Sequence, residues 1–336
     1  MRDIRIAIDG FGAIGREIAS LLLARHDHYA STYGVDVHLV AICEAEMGLS
    51  VEGGLRTDQL GQLASGKSGA DFLLSSRPDL FIAAGSGDMG ADQSGSGYLR
   101  SALAAGCDAI VVSTGALIDD GCRLRELART TGAQLKISGA IGAALPTIDM
   151  LQHNLAGCKA VRIEGIFSPC ANYILDAMMN CGATLSEALG EAEKEGLADC
   201  RSRSDIDGSG TARKLVLLAN FGLDSPLSID SLTVQGVEAI TEQAIAAWRS
   251  QAMVPRLVGT LVLEAGSVRG TVAVRPYFPG DPMALVRGRC TATRIVTEEM
   301  GEIVVTNCAA EPRATAAAVL KDLEHILRIR SGRFQW

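Results

Sequence analysis

Two short stretches carry residue types at spacings that could do chemistry. The first, Gly10-Phe11-Gly12-Ala13-Ile14-Gly15, follows the β-branched run at residues 4–9 and opens a helical pattern. In a strand–turn–helix unit each glycine serves a purpose, with a tight turn at Gly10, close approach of backbone to a pyrophosphate at Gly12, and close packing of helix on strand at Gly15. The phosphates would sit on the helix N-terminus. A bare G-x-G-x-x-G is also an ordinary structural turn, and it is the strand before and the helix after that favour dinucleotide binding. The second stretch, residues 197–219, sets three aspartates and four basic residues against an apolar run. A helix that Ser209 can cap would run from Gly210 to about Phe221, with Ala212, Leu215, Val216 and Ala219 on one face and Lys214 at its border. A partly desolvated lysine gives up its proton more readily, which suits a general acid or base at an alcohol or carbonyl. The plainer reading is a lysine that lays its stem on the apolar face and keeps its tip in water. Cys170, just before another helical pattern, could be a dipole-activated thiolate or a small packing residue.

The elements that must position these residues follow from periodicity. Strand-like runs at 4–9, 36–44, 79–85, 109–114 and 133–139 alternate with helical patterns at 14–26, 96–106 and 121–132. That rhythm is a parallel sheet covered by helices. Ligands of such sheets sit at the carboxyl ends of the strands. Gly85 and the Ser113-Thr114-Gly115 turn are therefore expected beside the nicotinamide half of a cofactor, although small residues also close βα turns for purely local reasons. Glu44 ends the second strand, beyond a connection lengthened by residues 26–36. A carboxylate there accepts hydrogen bonds from a ribose 2′-hydroxyl and repels a 2′-phosphate, so NAD is favoured, with NADP possible. After Pro146 the pattern changes to helices followed by strands, at 159–167, 256–266, 268–278, 281–297 and 301–309, which predicts an α+β second domain. The amphipathic run 315–329 is expected to return to the first domain.

Composition bounds the class. At 336 residues, two domains are expected. With 48% hydrophobic residues and a net charge of −8, the chain reads as a globular enzyme or binding protein with no nucleic-acid partner. Cysteines 43, 107, 122, 158, 170, 181, 200, 290 and 308 form no C-x-x-C, and the histidines do not cluster. No metal site and no disulfide framework is suggested, and a reduced, cytoplasmic setting fits. The start shows no signal-peptide apolar region and no window reaches about eighteen apolar residues, so neither a targeting segment nor a membrane partner is expected.

Residues 164–175 (EGIFSPCANYIL), 187–199 (EALGEAEKEGLAD), 204–219 (SDIDGSGTARKLVLLA) and 314–323 (ATAAAVLKDL) occur in this order, and residues 138–146 (SGAIGAALP) look like a glycine-rich hinge between domains. Together they resemble the homoserine dehydrogenase family over nearly the full length. The resemblance implies a doubly wound α/β (Rossmann) domain at 1–148 with the helix at 312–336, and an α+β substrate-binding and dimerisation domain at 149–311. It implies a homodimer, a small-molecule substrate, and reversible nicotinamide-dependent conversion of homoserine to aspartate semialdehyde. By the same resemblance Lys214 is the catalytic lysine, Asp205 its partner, and Asp199 stands where the family has a substrate-binding glutamate. Gly142 in the hinge and Asn172 in the N-Y-I-L helix are assigned to substrate binding. The match departs at four places: Gly210 replaces a family aspartate, Gly115 a family lysine, Arg201-Ser202 an Asp-Pro pair, and Ala309-Ala310-Glu311 a glycine-rich loop. Three other readings stay open: dehydrogenation of a different amino acid, as in aspartate dehydrogenase, thiol chemistry at Cys170, or an inactive dinucleotide-binding homologue.

Overall fold

In the computed structural model, residues 2–85, 95–142, 144–197, 203–264, 266–309 and 311–332 are described. The chain divides into two compact units, Met1–Ala144 with Ala310–Trp336, and Leu145–Ala309.

The first unit runs β1 (Arg2–Asp9), α1 (Ala13–Ala24), α2 (His26–Tyr33), β2 (Val35–Glu44), β3 (Met47–Ser50), β4 (Ala64–Ser65), α3 (Ala70–Ser75), β5 (Leu80–Ala83), α4 (Gly95–Ala104), β6 (Asp108–Val111), α5 (Thr114–Thr131), β7 (Leu135–Lys136) and α6 (Ser138–Gly142). Its sheet has the order β4-β3-β2-β1-β5-β6-β7. Strands β2, β1, β5, β6 and β7 are mutually parallel, and β3 and β4 are added antiparallel at one edge. The chain steps from β1 outward to β2 and returns to β5 on the other side of β1, so the switch point where such sheets hold ligands lies between β1 and β5.

The second unit holds α7 (Thr147–Asp149), β8 (Ala160–Ile166), α8 (Pro169–Cys181), α9 (Leu185–Lys194), α10 (Arg203–Ile206), α11 (Ser209–Leu217), β9 (Thr233–Val234), α12 (Glu242–Ser250), β10 (Val254–Glu264), β11 (Ser267–Tyr277), β12 (Thr291–Thr297) and β13 (Gly301–Asn307). Its sheet has the order β13-β12-β8-β10-β11-β9, antiparallel except for β9 against β11. Ser168 caps α8 by accepting from Ala171 N, with Pro169 in the first turn, and Thr184 caps α9 through a capping box with Glu187.

The final helix, α13 (Arg313–Arg330), belongs to the first unit and packs on α1. Val319, Leu320, Leu323, Ile326 and Leu327 are buried among Ile4, Ile6 and Ile8 of β1. At about 2 kcal/mol per buried side chain, this seam contributes on the order of 10 kcal/mol before chain entropy is subtracted. Asp322 is fully buried beneath it and accepts from Ser138 N (3.1 Å) and Ser138 Oγ (2.8 Å), which ties α13 to α6.

Several local expectations change. The connection at 26–36 contains a helix, α2, because Tyr29 and Tyr33 can be buried on one side and Gly34 closes it in the left-handed conformation (φ 69°). Helix α5 begins seven residues earlier than its pattern suggested. The run at 281–297 is a strand only from Thr291, since Asp281-Pro282 starts a 3₁₀ turn. Ser209 is not a cap. Gly208 precedes the helix with φ 84°, and the Asp207 carboxylate accepts from Ser209 N at 2.7 Å. Two cysteines expected to be free thiols form a disulfide, Cys290–Cys308. Register is the reason: Thr291 pairs with Asn307, so the next residues outward face each other. Cys170 is disulfide-bonded as well, which removes it as a nucleophilic thiol.

Candidate active site

The glycine turn does what its spacing suggested. Gly10 has φ 87°, and an ideal Cβ there would stand 2.0 Å from Gly85 N and 2.3 Å from Gly85 Cα. A Cβ at Gly15 would meet Gly10 O at 2.1 Å. Only glycine fits either position, one because the backbone of Ala84 and Gly85, just past β5, crosses it, the other because α1 sits directly on the turn. Gly12 differs: φ is −71°, and the nearest atom to its ideal Cβ is Glu44 Oε2 at 4.0 Å. The space beside it is open to a ligand and bordered by the carboxylate that would select ribose. Helix α1 starts here with no side-chain cap and no acidic residue in its first turn, so its orphan N–H groups remain for an anion. Phe11 is fully buried and Ile14 packs against the same core, while the Arg16 guanidinium lies 5.0 Å from the Phe11 ring centroid. Ala13 is the first residue of α1.

Behind the turn lie groups that spacing does not reveal. Burial raises the Asp9 carboxyl above its ordinary value, although the Cys43 thiol, donating to Oδ1 at 3.1 Å, lowers it. Burial in turn pushes the Cys43 thiol up. Two strand ends further along, Ser113 stands at the N-cap of α5 with Thr114 and Gly115 in its first turn. Ser113 Oγ is buried and has no hydrogen-bond partner among the described residues. Such an orphan at a strand's carboxyl end leaves a polar group free to bond a ligand. Open Gly12, the Glu44 carboxylate, the uncapped α1 terminus and this hydroxyl together fit a dinucleotide.

In the second unit, Lys214 is half-buried and donates from Nζ to Phe167 O at 2.9 Å. Its anchor is thus the carboxyl end of β8, immediately before the α8 cap; nothing in the local spacing at 204–219 pointed to residue 167. Asp205 lies on α10, and its Oδ1 is 3.6 Å from where a Cβ on Gly210 would stand, one helical turn before Lys214. Ser204 O is closer still, at 3.1 Å, so any side chain at residue 210 would be pressed against α10. Asn172 is fully buried: Nδ2 donates to Cys290 O at 2.9 Å, and Oδ1 is unpartnered among the described residues. Thr211 Oγ1, also buried, is a second orphan on α11. Gly142 is the buried last residue of α6 in the first unit. Asp199 lies outside the described residues.

Comparison with known proteins gives one answer along the whole chain. Residues 146–323 match the family model described as homoserine dehydrogenase, and residues 10–138 the one described as homoserine dehydrogenase, NAD binding domain. The chain is 26% identical over 341 residues to an NAD(+)-dependent homoserine dehydrogenase of Pseudomonas canavaninivorans, covering 97% of each. It is 27% identical over 335 residues to a homoserine dehydrogenase of Methanocaldococcus jannaschii, covering 96% of this chain and 98% of that one. The solved structure of a putative homoserine dehydrogenase from Archaeoglobus fulgidus superposes with a TM-score of 0.84 at 26% identity, covering 96% of this chain and 99% of the other.

Proposed function

Because the chain belongs to the homoserine dehydrogenase family and carries its NAD-binding domain, we propose that it catalyses reversible hydride transfer between a nicotinamide and homoserine or a closely related small amino or hydroxy acid. The observation that carries the reading is the turn, where Gly10 and Gly15 are closed by backbone while Gly12 stays open beside Glu44. NAD, when bound, accepts or returns the hydride. Gly10 to Gly15 and the α1 terminus hold its pyrophosphate, Glu44 its ribose, and Gly85, Ser113, Thr114 and Gly115 border its nicotinamide half. Lys214 exchanges the proton at the substrate's hydroxyl or carbonyl oxygen, and the Phe167 carbonyl orients that amine. Asp205 positions the lysine, Asp199 receives the substrate's amine or hydroxyl, Asn172 borders the substrate, and Gly142 keeps the substrate role that the family resemblance gives it. The unpartnered Asn172 Oδ1 and Thr211 Oγ1 support a polar ligand on this unit. The remaining work is orientation, which converts binding into rate.

Lys214→Met tests the assignment. With homoserine and NAD, kcat should fall by about 10²–10⁴-fold, the usual share of a general acid–base group, while NAD affinity stays within a factor of two or so. An unchanged kcat refutes the role of Lys214. Gly210 and Gly115 remove two charged groups that the family resemblance leads one to expect, and a small polar substrate deprived of one such partner can change in preference by about tenfold or more. A panel of hydroxy and amino acids run in parallel therefore decides whether homoserine or a neighbour such as aspartate is preferred. If NAD binds and no member of the panel is turned over, the protein is a non-catalytic relative.

We also read the protein as a cytoplasmic homodimer. Exposed Phe278, Leu285 and Met300 on the second unit support association. Among the described residues no helix is long and apolar enough to cross a membrane. Five cysteines, 43, 107, 122, 158 and 181, remain free thiols, whereas the Cys290–Cys308 disulfide weighs against a reducing compartment. Sedimentation of the chain as a monomer would remove the dimer.

A further inference from the structure

We propose that Asp3, Asp36, His38 and His26 form a binding site for a divalent transition-metal ion, zinc in the first instance, at the amino end of the parallel strands in the first unit's sheet. Strands β1 and β2 pair in parallel with Asp3 opposite Asp36 and Arg5 opposite His38. Side chains alternate along a strand, so Asp3, Asp36 and His38 share one face. Their ligand atoms all lie within 4.8 Å of one another. His26, the first residue of α2, closes the group from the side, with Nε2 2.7 Å from Asp36 Oδ1. His38 Nε2 stands 3.4 Å from the other oxygen, Asp36 Oδ2. The His38 ring lies against Gly54, where an added Cβ would come within 3.2 Å of Nδ1. One carboxylate therefore lies between two imidazoles, with a second carboxylate beside it.

Two observations favour a cation over a simple hydrogen-bonded surface patch. Two like charges set opposite each other by strand register are destabilising unless something neutralises them. Among the described residues no arginine or lysine pairs with Asp3 or Asp36; the groups that face the Asp36 carboxylate are the imidazoles of His26 and His38, the same nitrogens a metal would take as ligands. The guanidinium of Arg5, two residues along the same face of β1, is engaged by the carbonyls of Ser76, Arg77 and Glu52. The donor set is the second observation. Two imidazole nitrogens and two carboxylate oxygens suit zinc; ligands about 2.1 Å from a tetrahedral ion stand about 3.4 Å apart, so Asp3, Asp36 and His38, now within 4.8 Å of one another, would draw closer and His26 would turn from Asp36 toward the ion. The side chains of His26, Asp36 and His38 keep 47%, 28% and 27% of their exposure, which leaves an entry path. The site is at the end of β1 opposite the glycine turn. At about 3.3 Å per residue the two are roughly 20 Å apart, so the site is separate from the cofactor site and independent of its chemistry.

The experiment is calorimetric titration with Zn²⁺ of the chain carrying Cys122→Ser and Cys181→Ser, since those exposed thiols would compete. One ion per chain is expected. His38→Ala, His26→Gln and Asp36→Asn should each weaken it by at least about tenfold, as even outer-shell changes commonly do. His28→Gln, a control on the same helix, should leave it unchanged. Co²⁺ in place of Zn²⁺ should give weak visible bands without thiolate charge transfer. NAD affinity, unchanged in every variant, confirms that each has folded. Absence of binding, or binding that survives both His38→Ala and His26→Gln in folded protein, or a thiolate spectrum, overturns the proposal.

Discussion

Alanine at Gly10 and alanine at Gly12 should have opposite consequences, although the two residues belong to one turn. At Gly10 a side chain must adopt φ 87° and place Cβ 2.0 Å from Gly85 N. The left-handed conformation costs about 1–2 kcal/mol for an L-residue. Relieving the overlap by moving β5 away from the turn costs about 1–3 kcal/mol more, as overpacked sites do. The expected destabilisation of the first unit is therefore about 2–5 kcal/mol, or roughly 5–15 °C in its melting midpoint. At Gly12 the backbone is ordinary and nothing stands closer than the Glu44 carboxylate at 4.0 Å, so Gly12→Ala should fold within about 0.5 kcal/mol of the parent. The methyl group instead occupies the space a pyrophosphate needs, and NAD affinity should fall by at least about tenfold, equivalent to about 1.4 kcal/mol. Urea unfolding followed by circular dichroism, together with NAD titration by fluorescence, reads both quantities. A Gly12→Ala chain that binds NAD like the parent would refute the argument that this turn cradles the cofactor. A Gly10→Ala chain of undiminished stability would refute the close approach.

Four other outcomes follow from the same geometry. Replacing Glu44 by alanine removes the charge that repels a 2′-phosphate, so the ratio of NADP to NAD utilisation should rise about tenfold or more in steady-state kinetics. Burial holds the Asp9 carboxyl above its ordinary value of 3.8, so the folded chain binds that proton more tightly than the unfolded one and this residue's contribution to stability falls as pH rises through that window. Asp9→Asn should accordingly raise the melting midpoint at neutral pH and leave it unchanged in acid below the ordinary value. Asp176 pairs at 2.8 Å with the fully buried Arg256, and Asp176→Ala, which strands that charge, should cost about 3 kcal/mol in urea unfolding while Arg256→Met costs far less. Converting Cys290 and Cys308 together to serine opens a cross-link spanning 18 residues and should cost about 2–4 kcal/mol in oxidising buffer, a difference that disappears under reductant.

Much of the first unit was legible because its signals are local. A glycine at φ 87° beside a crossing strand, a β-branched run before it and an apolar stripe after it all lie close together in the chain, and they agree. The same holds for the apolar stripe of α11. What was not legible depends on residues far apart in the chain. The Lys214 amine is anchored by the carbonyl of Phe167, the Ser209 cap yields to a left-handed Gly208, and Cys290 meets Cys308 only because β12 and β13 pair in one register. Asp9 is an ordinary strand residue in sequence, and it takes the burial of β1 between β2 and β5 to raise its carboxyl.

The amino-acid sequence by itself determined the class of this protein: a parallel α/β unit with a dinucleotide turn, an α+β unit following it in the chain, and the lysine-bearing helix of one enzyme family. Those properties rest on periodicity, glycine sterics and motif order, which a linear chain displays directly. Tertiary structure alone decided which groups became neighbours: Glu44 with Gly12, Asp205 with Gly210, and two carboxylates with two imidazoles at the far end of the sheet. Strand register and helix packing set those distances, and both are settled by burial of the whole core.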